Sequence, residues 1–224
     1  MKTTPRLLAL AVIGLAIITP INSLFALDNP PDLTAQWWQW ALSIPTSVNP
    51  MLDGNGDNCM VGQRDSVWFL AGAFFGGTAK RTCSVPEGVP LFFPVANAVN
   101  FNAPNICGQT GSLSTKDLRD ATAAFVNGLS QLAAELDGRA LSLQRIRSRV
   151  FELALPEDNV FDGPCASIGN VPAGIYSPAV DEGFYASVPP LRPGNHTIHF
   201  HAENSSQGFV VDVTYTLHVV AVSK

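Results

Sequence analysis

The chain has 224 residues, 13 of them basic and 18 acidic, for a formal charge of −5. That balance excludes the clustered positive charge that nucleic acid or an anionic membrane surface requires. With 18 glycines, 17 prolines and 46% hydrophobic residues, the composition is that of a turn-rich β-protein rather than a disordered tail.

Residues 1–26 read as a signal peptide. Lys2 and Arg6 give a basic start, Leu7 to Thr19 is an uncharged apolar run, and Pro20, Asn22 and Ser23 break it before the small Ala26. The run is shorter than the roughly 20 residues that anchor a chain in a bilayer. No stable membrane anchor is therefore expected after cleavage, and the location is secreted or periplasmic. Cleavage takes Lys2 and Arg6 from the 13 basic residues and none of the 18 acids, which moves the charge from −5 to −7. Residues 27–224 remain as one β-rich globular domain of good size.

Asp32 to Ile44 predicts a short helix. Asp32 supplies a capping carboxylate, Trp37, Trp40, Ala41 and Ile44 share one face, and Pro45 ends the run. An Asn-, Gly- and Asp-rich loop follows to Cys59. Strands are expected at Val67–Ala71, Ala79–Val85 and Val89–Val95, with turns at Gly76-Gly77 and Glu87-Gly88. Ala96 to Gly111 reads as an irregular loop. A long helix is predicted over Thr115–Leu136, opened by a Ser114/Asp117 capping box and striped by Leu118, Ala121, Phe125, Leu129, Leu132 and Leu136.

Asp137-Gly138 signals a turn, and Arg139–Leu155 one long or bent strand, or two. Pro156–Pro178 reads as a loop. Strands follow at Phe184–Val188, Asn195–His201 and Phe209–Val222, the last alternating Val211, Val213, Tyr215, Leu217 and Val219 with polar residues. The expected fold is mainly β: a β-sandwich-like domain with one long helix and a short N-terminal helix.

Cys59, Cys83, Cys107 and Cys165 form an even set in an exported chain, which suggests two disulfides. Of the three pairings, Cys59–Cys83 and Cys107–Cys165 are favoured, because the first pair brackets a short β-like stretch and the second lies in loops. None has the close spacing of zinc ligands.

The stretch from Trp37 to Pro45, then Asn49-Pro50, Cys59, Gln63 and Val67 to Gly72, resembles a family of uncharacterised exported bacterial proteins. Leu91-Phe92-Phe93-Pro94 and the run from Leu191 to Phe200 carry the same likeness, which extends over most of residues 27–224. The resemblance implies export and a single β-rich domain, and brings no catalytic residue with it.

Four constellations carry possible chemistry. His199 and His201 lie two apart on a strand and so share a face, with Glu203 next along, as a transition-metal site would need. Asp53, Asn55 and Asp57 alternate in a Gly-rich loop like the opening of a calcium loop, but Arg64 stands where that loop would close on a glutamate. Arg145, Arg147 and Arg149 share a strand face and suit an anion, or pair with the excess acids. The tryptophans, with Trp68 added, fit core packing better than sugar stacking.

There is no G-x-S-x-G elbow, P-loop or dinucleotide fingerprint. Asp181 and Glu182 are adjacent on a strand and point to opposite faces, a poor acid–base pair. The leading expectation is an exported domain that binds an unidentified ligand or an envelope or extracellular partner. The alternatives are a metal-dependent enzyme on His199 and His201 and a calcium-stabilised structural or adhesive domain. Whether the chain is an enzyme is left open by the sequence.

Overall fold

The computed structural model describes residues 29–63, 66–167 and 170–221. The signal-peptide reading of residues 1–26 lies outside them, as does Arg64. Helix α1 spans Pro30–Ser43. It starts two residues before the expected point because Pro30 and Pro31 bring a preset helical φ, and the N–H they lack would be unpaired in a first turn anyway. Asp32 is therefore inside the helix, not its cap. Its carboxylate accepts the Asn29 side-chain amide at 2.7 Å and pairs with Arg149.

Two mixed sheets pack together. The first contains β1 (Trp68–Phe69), β3 (Leu91–Phe101), β8 (Gly174–Val188) and β6 (Gln144–Arg147), in that order, with β7 (Phe151–Leu155) also paired to β8. The second runs β2 (Gly77–Pro86), β10 (Phe209–Val220), β9 (Gly194–Asn204), β4 (Ser130–Leu136) and β5 (Arg139–Ala140). The β1/β3 and β2/β10 pairs are parallel, and the remaining pairs antiparallel. The Glu87-Gly88 turn carries the chain from one sheet to the other.

Between the sheets lie Leu91, Phe93, Val95, Ala186 and Val188 from one side and Phe200, Val211, Val213, Tyr215 and Leu217 from the other. The opposite face of the first sheet takes α1, through Phe92, Ala179, Tyr185 and Leu153 against Trp37, Trp38 and Leu42. The tryptophans are core residues: Trp37, Trp38, Trp40 and Trp68 are all buried. Three of their indoles find acceptors on Leu70 O, Val61 O and Asp181 Oδ1.

Helix α2 (Thr115–Asn127) keeps its capping box, with Asp117 N donating to Ser114 Oγ at 3.2 Å and Ser114 N to Asp117 Oδ2 at 3.0 Å. It ends nine residues early. Gly128 follows, where a Cβ would come within 2.7 Å of the Asn204 amide, and Asn204 Nδ2 donates to the Phe125 carbonyl. Leu132 and Leu136 then belong to β4. Residues four apart share a face on a helix and also on a strand, so this pair could not separate the two. Asp137 and Gly138 turn the chain into β5, both with positive φ.

Three further boundaries differ from expectation. The Asn-rich segment after Val95 continues β3 to Phe101, because β8 offers it a ladder up to Ala179. Arg139–Leu155 breaks into three strands, and β8 begins at Gly174 inside the expected loop, after the four-residue α3 (Asp162–Cys165). Both disulfides join the favoured partners, Cys59 to Cys83 and Cys107 to Cys165. Such bonds form and persist in oxidising, extracytoplasmic compartments. No helix of the described residues is long and apolar enough to cross a membrane.

Candidate functional site

The polar clusters singled out in the sequence are built into the fold in different ways. His199 and His201 do share the outer face of the second sheet. Asp212, from the neighbouring β10, stands between them: 2.9 Å from His199 Nε2 and 3.8 Å from His201 Nδ1. Glu203 is 3.2 Å from His201 Nε2 and accepts Gln131 Nε2 at 2.9 Å. The four form a half-exposed cross-strand ladder of acid–imidazole pairs. Among the described residues, no group of three or more His, Cys, Asp or Glu side chains is arranged to hold a metal ion.

The loop with Asp53, Asn55 and Asp57 folds around one carboxylate. Asp53 Oδ1 accepts the amides of Asn55 and Gly56, and Oδ2 that of Asn58, at 2.9–3.0 Å. Burial pushes the Asp53 carboxyl up, but these amides outweigh it and hold it below the ordinary value. Asn55 Nδ2 donates to Asp57 at 2.8 Å. The loop lies along the outer edge of β2, with Lys80 N on Gly54 O and Thr82 N on Asn55 O. It thereby covers an edge that would otherwise be open to pairing.

The arginine row divides. Arg145 and Arg147 converge on Glu182, whose side chain is almost fully buried, at 2.6–3.0 Å. Burial pushes the Glu182 carboxyl up, and the hydrogen bonds from Arg147 and Arg145 more than reverse it. Arg149 pairs with Asp32 instead. All three thus answer acids of this chain. As the strand geometry requires, Asp181 points the other way from Glu182, into the layer beneath α1.

Asp181 is fully buried. Trp38 Nε1 and the Tyr185 hydroxyl both donate to its Oδ1 at 2.7 Å, and its Oδ2 has no hydrogen-bond partner among the described residues. Burial raises its pKa to about 7, with Tyr185, Trp38, Thr34 and Arg119 opposing. Tyr185 in turn accepts Asn97 Nδ2 at 2.9 Å. Asn97 reaches this face because of a bulge in β3 between Pro94 and Ala96. Before the bulge Phe92 faces α1; after it Asn97, Val99 and Phe101 do, so one extra residue reverses the parity of the strand.

Asn97 opens onto a cleft of about 380 Å³. One part of its wall is the β3 edge beyond Phe92, where the two-residue β1 has ended. Trp37 and Trp38 of α1, the loop Gly72–Phe75, Phe125 of α2, Phe161, and the turn into β10 at Gln207–Phe209 complete it. Phe74 packs edge-on to Phe161 at 5.6 Å, and Phe125 edge-on to Phe209 at 5.2 Å.

Arg81 anchors the Gly72 end. Its buried guanidinium donates to Asp53 O, Ala71 O, Gly72 O and the Tyr215 hydroxyl at 2.6–3.1 Å. Phe75 at the rim is 66% exposed with φ +62°, a conformation that costs a bulky side chain. Pockets of this make, concave and mostly apolar with a few placed polar groups, are the usual form of a small-molecule site.

Comparison of the chain with protein-family models, with curated proteins and with solved structures found no match. The site is therefore argued from its own geometry. Sequence reasoning did not find Asn97, Tyr185 or Arg81 as site residues. A signal for Asp181 was present: with Ala179, Gly183 and Tyr185 it shares one strand face at period two, an acid in an otherwise apolar row.

Proposed function

We infer that this chain is an exported, non-catalytic domain that binds an apolar ligand in the phenylalanine-lined cleft, outside the cytoplasm. The observation that carries this reading is the cleft itself: about 380 Å³, walled by aromatic side chains from two helices, two loops and the start of β10 and by the β3 edge of the first sheet. An apolar recess of that size retains a large transfer free energy for a ligand that fills it. The disulfides, which suit an oxidising compartment, and the resemblance to exported bacterial proteins support the location.

The test is binding of the neutral fluorophore N-phenyl-1-naphthylamine to the purified, disulfide-bonded protein. Saturable fluorescence enhancement is expected, and its loss in Gly72→Leu. Gly72 lines the cleft, and a Cβ there would meet nothing within 4 Å, so the leucine is expected to be accommodated without displacing the fold and to obstruct the recess. Absence of saturable binding, or equal binding by the leucine variant at unchanged melting temperature, would overturn the reading.

A further inference from the structure

If the cleft binds a ligand as inferred above, its lining selects among ligands. Among the described residues, no ionisable side chain lines it. A charged molecule would lose its hydration there and gain no opposite charge in return. The rings of Phe74, Phe161, Phe125 and Phe209 already meet edge to face, the arrangement in which a further flat ring packs well.

One polar group on the wall has a fixed orientation. Asp181 Oδ1 accepts from both Trp38 and Tyr185, so the Tyr185 hydroxyl proton is committed to the carboxylate. The Tyr185 oxygen can then only accept, and it accepts Asn97 Nδ2. That settles which end of the Asn97 amide faces inward. Its Oδ1 takes no hydrogen bond from any described residue and is an acceptor offered to the cleft.

The fold makes room for this side chain. Gly183 is the register partner of Asn97, and a Cβ on it would lie 2.3 Å from the Asn97 Cβ. The β3 edge is poorly suited to an added peptide strand, since Pro94 has no N–H to offer a ladder.

We propose that the cleft takes a neutral, planar aromatic molecule with one hydrogen-bond donor, a phenol, indole or aryl amine by class, its ring against the phenylalanine pairs and its donor on Asn97 Oδ1. The donor distinguishes this class from a plain hydrocarbon, because a ligand lacking it would bury the Asn97 acceptor unpaired.

The experiment compares 2-naphthol, 2-methoxynaphthalene and 2-naphthoate near neutral pH, by calorimetry on the wild-type protein and on Asn97→Ala. In the wild type 2-naphthol should bind about tenfold tighter than the methyl ether, the ratio one hydrogen bond supplies. The carboxylate should show no measurable binding. In Asn97→Ala the naphthol should lose its advantage while the ether still binds, which also reports an intact cleft.

Equal binding of naphthol and ether in the wild type, an unchanged preference in Asn97→Ala, or tight binding of the carboxylate would each overturn the proposal. Those results leave the binding reading standing, because the cleft would still be occupied. Failure of the fluorophore and all three naphthalenes together would instead remove the binding reading itself.

Discussion

Tyr185 donates its hydroxyl proton to Asp181, four residues earlier on the same face of β8, at 2.7 Å. The acid it serves is fully buried, and burial raises its pKa from 3.8 to about 7. The folded state therefore holds a proton that the unfolded chain releases at lower pH. Asp181 contributes its full stability below pH 3.8, and that contribution is lost as pH rises to about 7. The change is on the order of 4 kcal/mol at about 1.4 kcal/mol per pKa unit. His196, raised by its bond to Asp137, loses stability with rising pH as well, so the wild type must be read against a reference. In Asp181→Asn the group cannot ionise. The expected result is that the melting temperature of wild type relative to Asp181→Asn falls between pH 4 and pH 8; a parallel pair of curves would contradict the burial argument.

The neighbouring acid faces a different test. Glu182 is held by Arg145 and Arg147, both half-exposed, so solvent weakens what would otherwise be a strong buried cluster. Glu182→Gln keeps the shape and removes the charge. It should destabilise the protein by about 1–2 kcal/mol, and Glu182→Ala by about 3, because the latter leaves a space and two cations without an answer. Urea denaturation at neutral pH checks the order. A further expectation follows from the sign: Glu182 titrates below the ordinary range, so its contribution is present above about pH 4.5 and fades as the solution is made more acidic.

How legible the fold was depended on periodicity. The alternation of Val211, Val213, Tyr215, Leu217 and Val219 placed β10 correctly, with all five buried. The Ser114–Asp117 box placed the start of α2. What failed was local pattern shared by two structures, as at Leu132 and Leu136, and polarity mistaken for irregularity, as in Ala96–Phe101. Asn97 and Asn100 there satisfy a ladder with β8 that lies some 80 residues away in sequence. The cleft was not legible for the same reason. Its phenylalanines come from four separate segments, and Asn97 faces it only because a bulge changes which side of β3 it occupies. The shared faces of His199 with His201 and of Arg145 with Arg147 were legible, but Arg149 lies beyond β6, and Asp212 and Glu182 answer these side chains from other strands.

Phe75 separates stability from binding. Its φ of +62° is one that glycine adopts freely and a bulky residue does not, and 66% exposure means little burial compensates. Phe75→Gly should therefore leave the melting temperature unchanged or raise it slightly, since relief of strain of about 1 kcal/mol meets a similar entropy loss. The same variant should weaken N-phenyl-1-naphthylamine binding several-fold, because a rim ring is removed. If binding is unaffected while the protein is stabilised, Phe75 is a rim residue without a role in the cleft.

Gly183 connects the fold to the site most directly. It pairs with Asn97 across β8 and β3, and an alanine methyl would sit 2.3 Å from the Asn97 Cβ, 2.6 Å from its Cα and 2.7 Å from the Ala96 carbonyl. Two of these neighbours are backbone, so the strands must part rather than a side chain swing away. Overpacking of this kind costs about 1–3 kcal/mol, and here the upper end is expected. The displacement falls on the residue that links Tyr185 to the cleft. Gly183→Ala should thus lower the melting temperature and also reduce the preference for 2-naphthol over 2-methoxynaphthalene, since Asn97 no longer holds its amide against Tyr185. Pairing Gly183→Ala with Asn97→Gly removes only the Asn97 Cβ and leaves the two backbone contacts. The double variant should therefore stay less stable than Asn97→Gly alone, and the naphthol preference stays lost because the acceptor is gone. A melting temperature equal to that of Asn97→Gly alone would show that the close backbone approach at Gly183 does not set the spacing of the two strands.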